Sequence, residues 1–222
     1  MVRKLSYKNL KEKEKEKRRE YIIDAAEKLF LDKGYENVPM SDIAEEVGVN
    51  RATLYLYFKN KDTLYFAVLL RGLNLMRGAF QDAVQEDQNG LERLISLCQA
   101  FFDYYQEYPG YYRELSYMRA GNFDAGQIEN ADQQVMVAGE LMDALSDSIK
   151  MGIEDGSMKK NLKPMETAVL VVNCCEKLVN PGLDMLGFLK MHKITPDQYK
   201  EYSFDLLIST IQRETTQEGK DG

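Results

Sequence analysis

The chain reads as all-α: a small three-helix head containing a helix-turn-helix, then a helical-bundle body. Three observations predict this. Apolar residues recur at helical spacing nearly throughout. No Asn-Gly or Asp-Gly hairpin signal separates alternating runs. Two short helical patterns within 39–58 are joined by one Gly-Val turn, and helix, short turn, helix within twenty residues is the helix-turn-helix arrangement.

In the first helix Ile22, Ala26, Leu29 and Phe30 fall on one face, and Gly34 stands where a C-terminal cap would stop it. The charge run KEKEKEKRRE before it reads as a solvated helical extension or frayed arm, although Lys17, Arg18 and Arg19 could touch a phosphate or enter a minor groove. A second helix over 39–47 turns Ile43, Ala44 and Val47 inward, with Pro39 tolerated at its first position. Gly48 supplies a tight turn, and Asn50 is a strong N-cap for a short third helix anchored by Leu54 and Phe58. Asn60 caps a fourth helix (61–85), in which Phe66, Leu69, Leu73, Met76 and Phe80 repeat like a bundle seam. The body continues as helices near 91–108, 110–121, 126–155, 164–179 and 196–213, punctuated by Pro109-Gly110, EDGSMKKNLKP, Pro181-Gly182 and Pro196. The expected divisions are a charged extension (1–17), a head (18–63), a body (64–215) and a tail (216–222).

Composition narrows the class. Of the 222 residues 44% are hydrophobic and 29% charged, too apolar for disorder. The N-terminus lacks the apolar core of a secretory signal, and the longest aliphatic run, AVLVV at 168–172, is far short of a membrane span. Cys98, Cys174 and Cys175 have neither metal-ligand nor disulfide-framework spacing, so a cytoplasmic protein without cofactor or metal is expected. The net charge of -7 is unevenly spread. Residues 1–61 hold 14 Lys+Arg against 11 Asp+Glu, whereas 62–222 hold 15 against 25. A basic end on an acidic body suits presentation of that end to a polyanion.

The stretch VGVNRATLYLYFKNKDTL, 47–64, interleaves aromatics with cations. With Leu54 and Phe58 inward, Arg51, Ala52, Thr53, Tyr55, Leu56 and Tyr57 cover the other faces of a short helix. Small Ala52 and Thr53 permit close approach to a groove floor, and Arg51 can take guanine bidentately. Tyrosine hydroxyls, Lys59 and Lys61 can grip phosphates, Lys61 at a helix start where free N–H groups favour an anion. The residues thus point to double-stranded DNA.

The block KLFLDKGYENVPMSDIAEEVGVNRATLYLYFKNKDTL resembles the DNA-binding segment of the tetracycline-repressor (TetR) family of bacterial and archaeal regulators. The pattern is carried by Gly34-Tyr35, Asp42-Ile43-Ala44, Gly48-Val49, Thr53-Leu54-Tyr55, Phe58 and Lys61, over about residues 18–66. The resemblance implies DNA contacts by Asn50, Arg51, Ala52, Thr53, Tyr55, Leu56, Tyr57 and Lys61, and by the start of the second helix at Met40 and Ser41. Two departures bear on operator choice: Pro39 stands where many members have Thr, and Leu56 where a polar or aromatic residue is common.

One head touches half a site, so a homodimer on a near-palindromic operator is expected. Met165, Ala168, Val172, Cys175 and Val179 form one spaced seam, and Phe204, Leu207, Ile208 and Ile211 stripe the last helix; the resemblance implies that these helices form a four-helix bundle with their mates. AFFDYYQEYPGYYRELSYM, 100–118, is rich in soft side chains, and buried tyrosine hydroxyls need partners. By resemblance a lipophilic small-molecule effector would bind here, with Phe80, Phe101, Tyr105, Tyr112, Tyr117, Met118, Met136 and Met142 as candidates. Its binding would shift the fourth helix and release a repressor from its operator. The competing readings are a helical adaptor or an activator without effector-controlled repression, and an enzyme using carboxylates. For the last, no particular pair stands out: His192 is the single histidine, and no nucleophile triad or phosphate loop can be built.

Overall fold

A computed structural model describes residues 7–120, 123, 128 and 131–213. The first six residues of the expected extension, the expected helix start at 126–130 apart from Ile128, and everything beyond 213 lie outside the described residues. The described chain forms ten α-helices: α1 Tyr7–Lys33, α2 Met40–Val47, α3 Arg51–Tyr55, α4 Lys61–Ala83, α5 Gly90–Glu107, α6 Pro109–Arg119, α7 Ala131–Asp155, α8 Pro164–Val179, α9 Leu183–Met191 and α10 Pro196–Ile211. The one β feature among them is an isolated bridge between Met158 and Gln212.

Two compact units emerge, Met1–Asn74 with Tyr108–Val137, and Leu75–Glu107 with Ala138–Gly222. This division differs from the boundary expected at 63/64, because α6 packs with the head helices. In the first unit Ile22, Ala26 and Phe30 of α1, Ile43 of α2, Leu54, Phe58, Leu64 and Tyr65 make the core. Each of the buried isoleucine, leucine and phenylalanine side chains contributes about 1.5–3 kcal/mol. Arg71 ties α4 to α1, donating to Glu20 at 2.7 Å, Asp24 at 2.6 Å and Glu27 at 2.5 Å. From α6, Arg113 donates to the terminal carbonyls of α1, Phe30 at 3.1 Å and Leu31 at 2.6 Å. The Leu31 carbonyl is one that a helix end leaves without an intrahelical partner, whereas the Phe30 carbonyl also accepts the Gly34 N–H at 2.9 Å.

Glu114, only 1% exposed, is the buried charge of this unit. Its Oε2 accepts the Tyr35 main-chain N–H at 3.1 Å and its Oε1 accepts from Arg113 at 2.8 Å. The Tyr65 hydroxyl donates to the Glu114 carbonyl at 2.8 Å, with Oε2 at 3.2 Å. Tyr35, Tyr65, Tyr117 and Phe123 form one ring cluster, with centroids 4.6 Å apart for Tyr35–Tyr65 and 5.5 Å for Tyr65–Phe123. Tyr35 and Tyr117 are further held by Asp62 and Glu36.

In the second unit the starts of α5 and the end of α7 meet backbone to backbone. A Cβ on Gly90 would lie 2.0 Å from the Gly152 nitrogen, so this approach demands glycine. Asp155 accepts the Gly90 N–H at 2.7 Å. Thr195 and Gln198 form a reciprocal capping box at the start of α10.

Three expectations are corrected. Pro39 is not the first residue of α2 but its N-cap, with φ -75 and ψ 158. The helix α9 is additional: its apolar residues are mostly exposed, Leu189 alone being buried, so no one-sided pattern marked it. The expected dimer seam belongs largely to the chain's own core. Ala168, Cys175, Ile208 and Ile211 are buried within the second unit, and Phe204 packs edge-on against Phe102 at 5.4 Å. Val172, Val179 and Leu207 are half-buried. Of those residues Met165 is exposed, and with it Val169 and Leu170 of α8 and Tyr202 and Leu206 of α10. Because α8 is apolar on nearly every side, its periodicity identifies stripes without saying which one the chain itself covers.

Candidate nucleic-acid interface

Local sequence builds the turn directly. Gly48 adopts φ 75 and ψ 31, a left-handed conformation that costs a side chain-bearing residue energy. Val49 N–H then returns to the Ala44 carbonyl at 2.9 Å, closing α2. Asn50 sits at φ -80 and ψ 156 and accepts both the Thr53 N–H at 2.9 Å and the Thr53 hydroxyl at 3.0 Å. The device repeats ten residues on: Asn60 accepts the Thr63 N–H and hydroxyl, each at 2.8 Å. Two side chains thus start α3 and α4 and bracket the segment 51–60.

Leu54 and Phe58 are fully buried and pin α3 from beneath. The Arg19 guanidinium lies 4.8 Å from the Phe58 ring centre, which gives that arginine a packing role in addition to any phosphate contact. Ser41, Asn50, Arg51, Ala52, Tyr55, Leu56 and Lys59 are exposed, whereas Thr53, Tyr57 and Lys61 are half-buried. Leu56 is 76% exposed, next to the exposed ring of Tyr55. Arg51 donates to the Tyr55 hydroxyl at 3.3 Å, so two expected contact residues are already oriented together. Lys61 sits 4.0 Å above the Tyr35 ring. Burial lowers its pKa, although Glu36 and Asp62 oppose that.

One expected contact is corrected. The Met40 side chain is 5% exposed and belongs to the core, so it is not available to a groove. Sequence reasoning also missed the supports behind the interface, Glu114 and Arg113 on α6. They lie some eighty residues from the turn they hold, and no local pattern links them to it.

The effector residues do not converge as expected. Phe80 and Phe101 do meet, around a void shared with Leu97, Cys98, Leu145 and Val171, but it measures only about 10 Å³. That is room for about one water. Tyr105 is buried against Phe101 at 4.8 Å and Tyr104 at 5.0 Å. Tyr117 belongs to the ring cluster around Tyr35 in the first unit, 5.6 Å away. Tyr112, Met118 and Met142 are half-buried away from the void, and Met136 is 64% exposed. The physical reason is the division of the chain: residues 108–137 pack with the head, so aromatic richness there serves that core. The larger opening in the second unit is a cleft of about 320 Å³ bounded by Arg77, Phe80, Arg93, Leu97 and Leu141. Beside the void, the Cys98 thiol is held well above its ordinary pKa by its hydrogen bond with Cys175 and by burial, which makes it unreactive.

A short asparagine-capped helix, set across a glycine turn from a second and pinned by two buried anchors, defines a helix-turn-helix in an all-helical chain. Residues 22–68 match the family model described as bacterial regulatory proteins, tetR family. Among relatives, the HTH-type transcriptional activator FasR of Mycolicibacterium smegmatis is 32% identical over 99 residues, 45% of either chain. The chain therefore spans less than half the length of that relative. The ketosteroid regulator KstR2 of Mycobacterium tuberculosis superposes with a TM-score of 0.64 at 20% identity, covering 89% of this chain and 96% of that one. FadR of Bacillus subtilis, solved with stearoyl-CoA, gives 0.63 at 20% identity over 86% and 98%. At such identities the two structures establish the fold alone.

Proposed function

We propose that this protein is a ligand-responsive transcriptional regulator, a repressor that leaves a near-palindromic operator when a small molecule binds its body. The exposed, doubly capped segment 51–60 carries this reading. It presents Arg51, Ala52, Thr53, Tyr55, Leu56, Tyr57 and Lys59 together, with Lys61 following, on a helix whose other side is anchored by Leu54 and Phe58. A homodimer would space two such helices about 34–36 Å apart on one face of the duplex. The apolar residues left bare on the last long helices, Met165 of the expected seam together with Val169, Leu170, Tyr202 and Leu206, would supply the surface for that dimer.

The link between effector and DNA is α4. One continuous helix of 23 residues carries Lys61 at its start and Arg77 and Phe80 near its end. At 1.5 Å per residue it is about 35 Å long. A ligand that displaces its C-terminal half would tilt the DNA-contacting end, and a coupling of about 1–3 kcal/mol would weaken operator binding roughly 5–150-fold. Among proteins of the same fold, FadR was solved with stearoyl-CoA, and AibR with isovaleryl coenzyme A and operator DNA. No reaction is needed, and a cytoplasmic location follows from the role; no described helix is long and apolar enough to cross a membrane.

The test is titration of the protein onto fluorescent duplexes from the DNA flanking its own gene, at several salt concentrations. Tight binding whose logarithm falls linearly with log salt is expected. Absence of any salt-dependent binding overturns the reading.

A further inference from the structure

We infer that the cleft at Arg77, Arg93 and Leu141 takes an amphiphile with one anionic head and a short apolar body. This rests on the body being the effector domain and narrows the lipophilic effector to a charged one. The cleft, about 320 Å³, draws on α4, α5 and α7 within the second compact unit. That volume is at the small end of ligand pockets, which fits a short chain rather than a large polycyclic body.

Its lining divides by chemistry. Phe80, Val84, Leu97, Leu141 and Ala144 make it largely apolar, while Arg77, Arg93, Gln81 and Glu140 supply its polar lining, two cations against one carboxylate. The two cations are not equivalent. Arg77 already donates to Glu140 at 2.9 Å. The Arg93 Nε is shut away from solvent with no acceptor, and among the described residues Arg93 has no ion-pair partner. A buried N–H of a permanent cation is costly to leave unpaired, and a carboxylate or phosphate oxygen is the acceptor its geometry matches. A neutral lipophile would occupy the apolar wall and leave this donor unsatisfied.

The direction of the apolar part follows from two shared residues. Phe80 and Leu97 line both the cleft and the small void against Phe101 and Leu145. A head held at Arg93 lays the tail against Phe80 and Leu97, and a tail extending toward Phe101 turns one of these side chains. Such a movement displaces Phe80, a residue of α4, which is the helix that leads to Lys61.

A free acid and a thioester of the same acid share this chemistry, so the experiment uses both. Full-length protein is titrated calorimetrically with octanoate, octanoyl-coenzyme A and 1-octanol, and the arginine Nε–Hε resonances are followed by NMR. At least one anion is expected to bind about tenfold more tightly than the alcohol. The Arg93 resonance should move with that anion and stay still with octanol, and Arg93→Gln should erase the preference while leaving octanol binding unchanged. Which anion wins identifies the source. Equal affinity for all three, no binding by either anion, or an Arg93 signal that ignores a saturating anion overturns the proposal. The wild-type resonance decides even where Arg93→Gln fails to fold. An anion that docks on Arg93 without altering DNA affinity would instead sink the regulatory reading and leave this site standing.

Discussion

Replacing Glu114 tests how the head is held. In the wild type its carboxylate accepts the main-chain N–H of Tyr35 at 3.1 Å from a position 1% exposed, which anchors the turn that follows α1. Glu114→Ala leaves that N–H without an acceptor, at about 1–3 kcal/mol. It also removes a buried methylene, worth about 0.8 kcal/mol. The ion pair to Arg113 adds little, since that side chain is 51% exposed and keeps the Phe30 and Leu31 carbonyls. The Tyr65 hydroxyl keeps the main-chain carbonyl of residue 114. The expected loss is about 3 kcal/mol. Glu114→Gln preserves volume and an oxygen for the Tyr35 N–H, so it should lose about 1 kcal/mol. Urea denaturation at one fixed protein concentration measures both. An alanine variant within about 0.5 kcal/mol of wild type, or alanine and glutamine variants that coincide, would refute the claim that this acceptor holds the turn.

Further outcomes follow from the same geometry. Asn50→Ala removes the acceptor for two Thr53 donors and should weaken each head by about 1 kcal/mol, so a two-headed complex loses roughly thirtyfold in operator affinity while far-ultraviolet circular dichroism barely changes. Leu170→Asp, on an exposed face, should yield a folded monomer by sedimentation, whereas Ala168→Asp, fully buried two residues earlier, should not fold. Asp155 titrates below the ordinary aspartate range, since burial pushes its pKa up but hydrogen bonds from Ser157 and Gly90 outweigh it. Its contribution is therefore complete above about pH 4 and is lost as pH falls through the depressed folded value; in Asp155→Asn that part of the acid limb should flatten, by a small amount because the carboxylate is largely solvated.

Much of the helix-turn-helix was readable because its determinants are local. An N-cap, a left-handed glycine and an i, i+4 pair of anchors each act within one turn of backbone, so Gly48, Asn50, Leu54 and Phe58 declare themselves in order. Helix spans in the body were equally legible, since the 3.6-residue period and proline punctuation are also short-range. The helix α9 was hidden for the complementary reason: it is a short helix that buries only one leucine, so its residues carry no stripe.

By itself the amino-acid order determined the helical class, the turn chemistry and the exposed segment between the two asparagine caps, because these depend on interactions spanning a few residues. Only the tertiary structure decided which apolar stripe each body helix spends on its own core. It sent 108–137 to the head, turned Ala168 and Cys175 inward and left Val169 and Leu170 bare. It also brought Glu114 to Tyr35 and left the Nε of Arg93 without an acceptor. Periodicity specifies that a face is apolar; which neighbour covers it, and which polar atom is thereby stranded, is settled only when distant segments compete for the same surface.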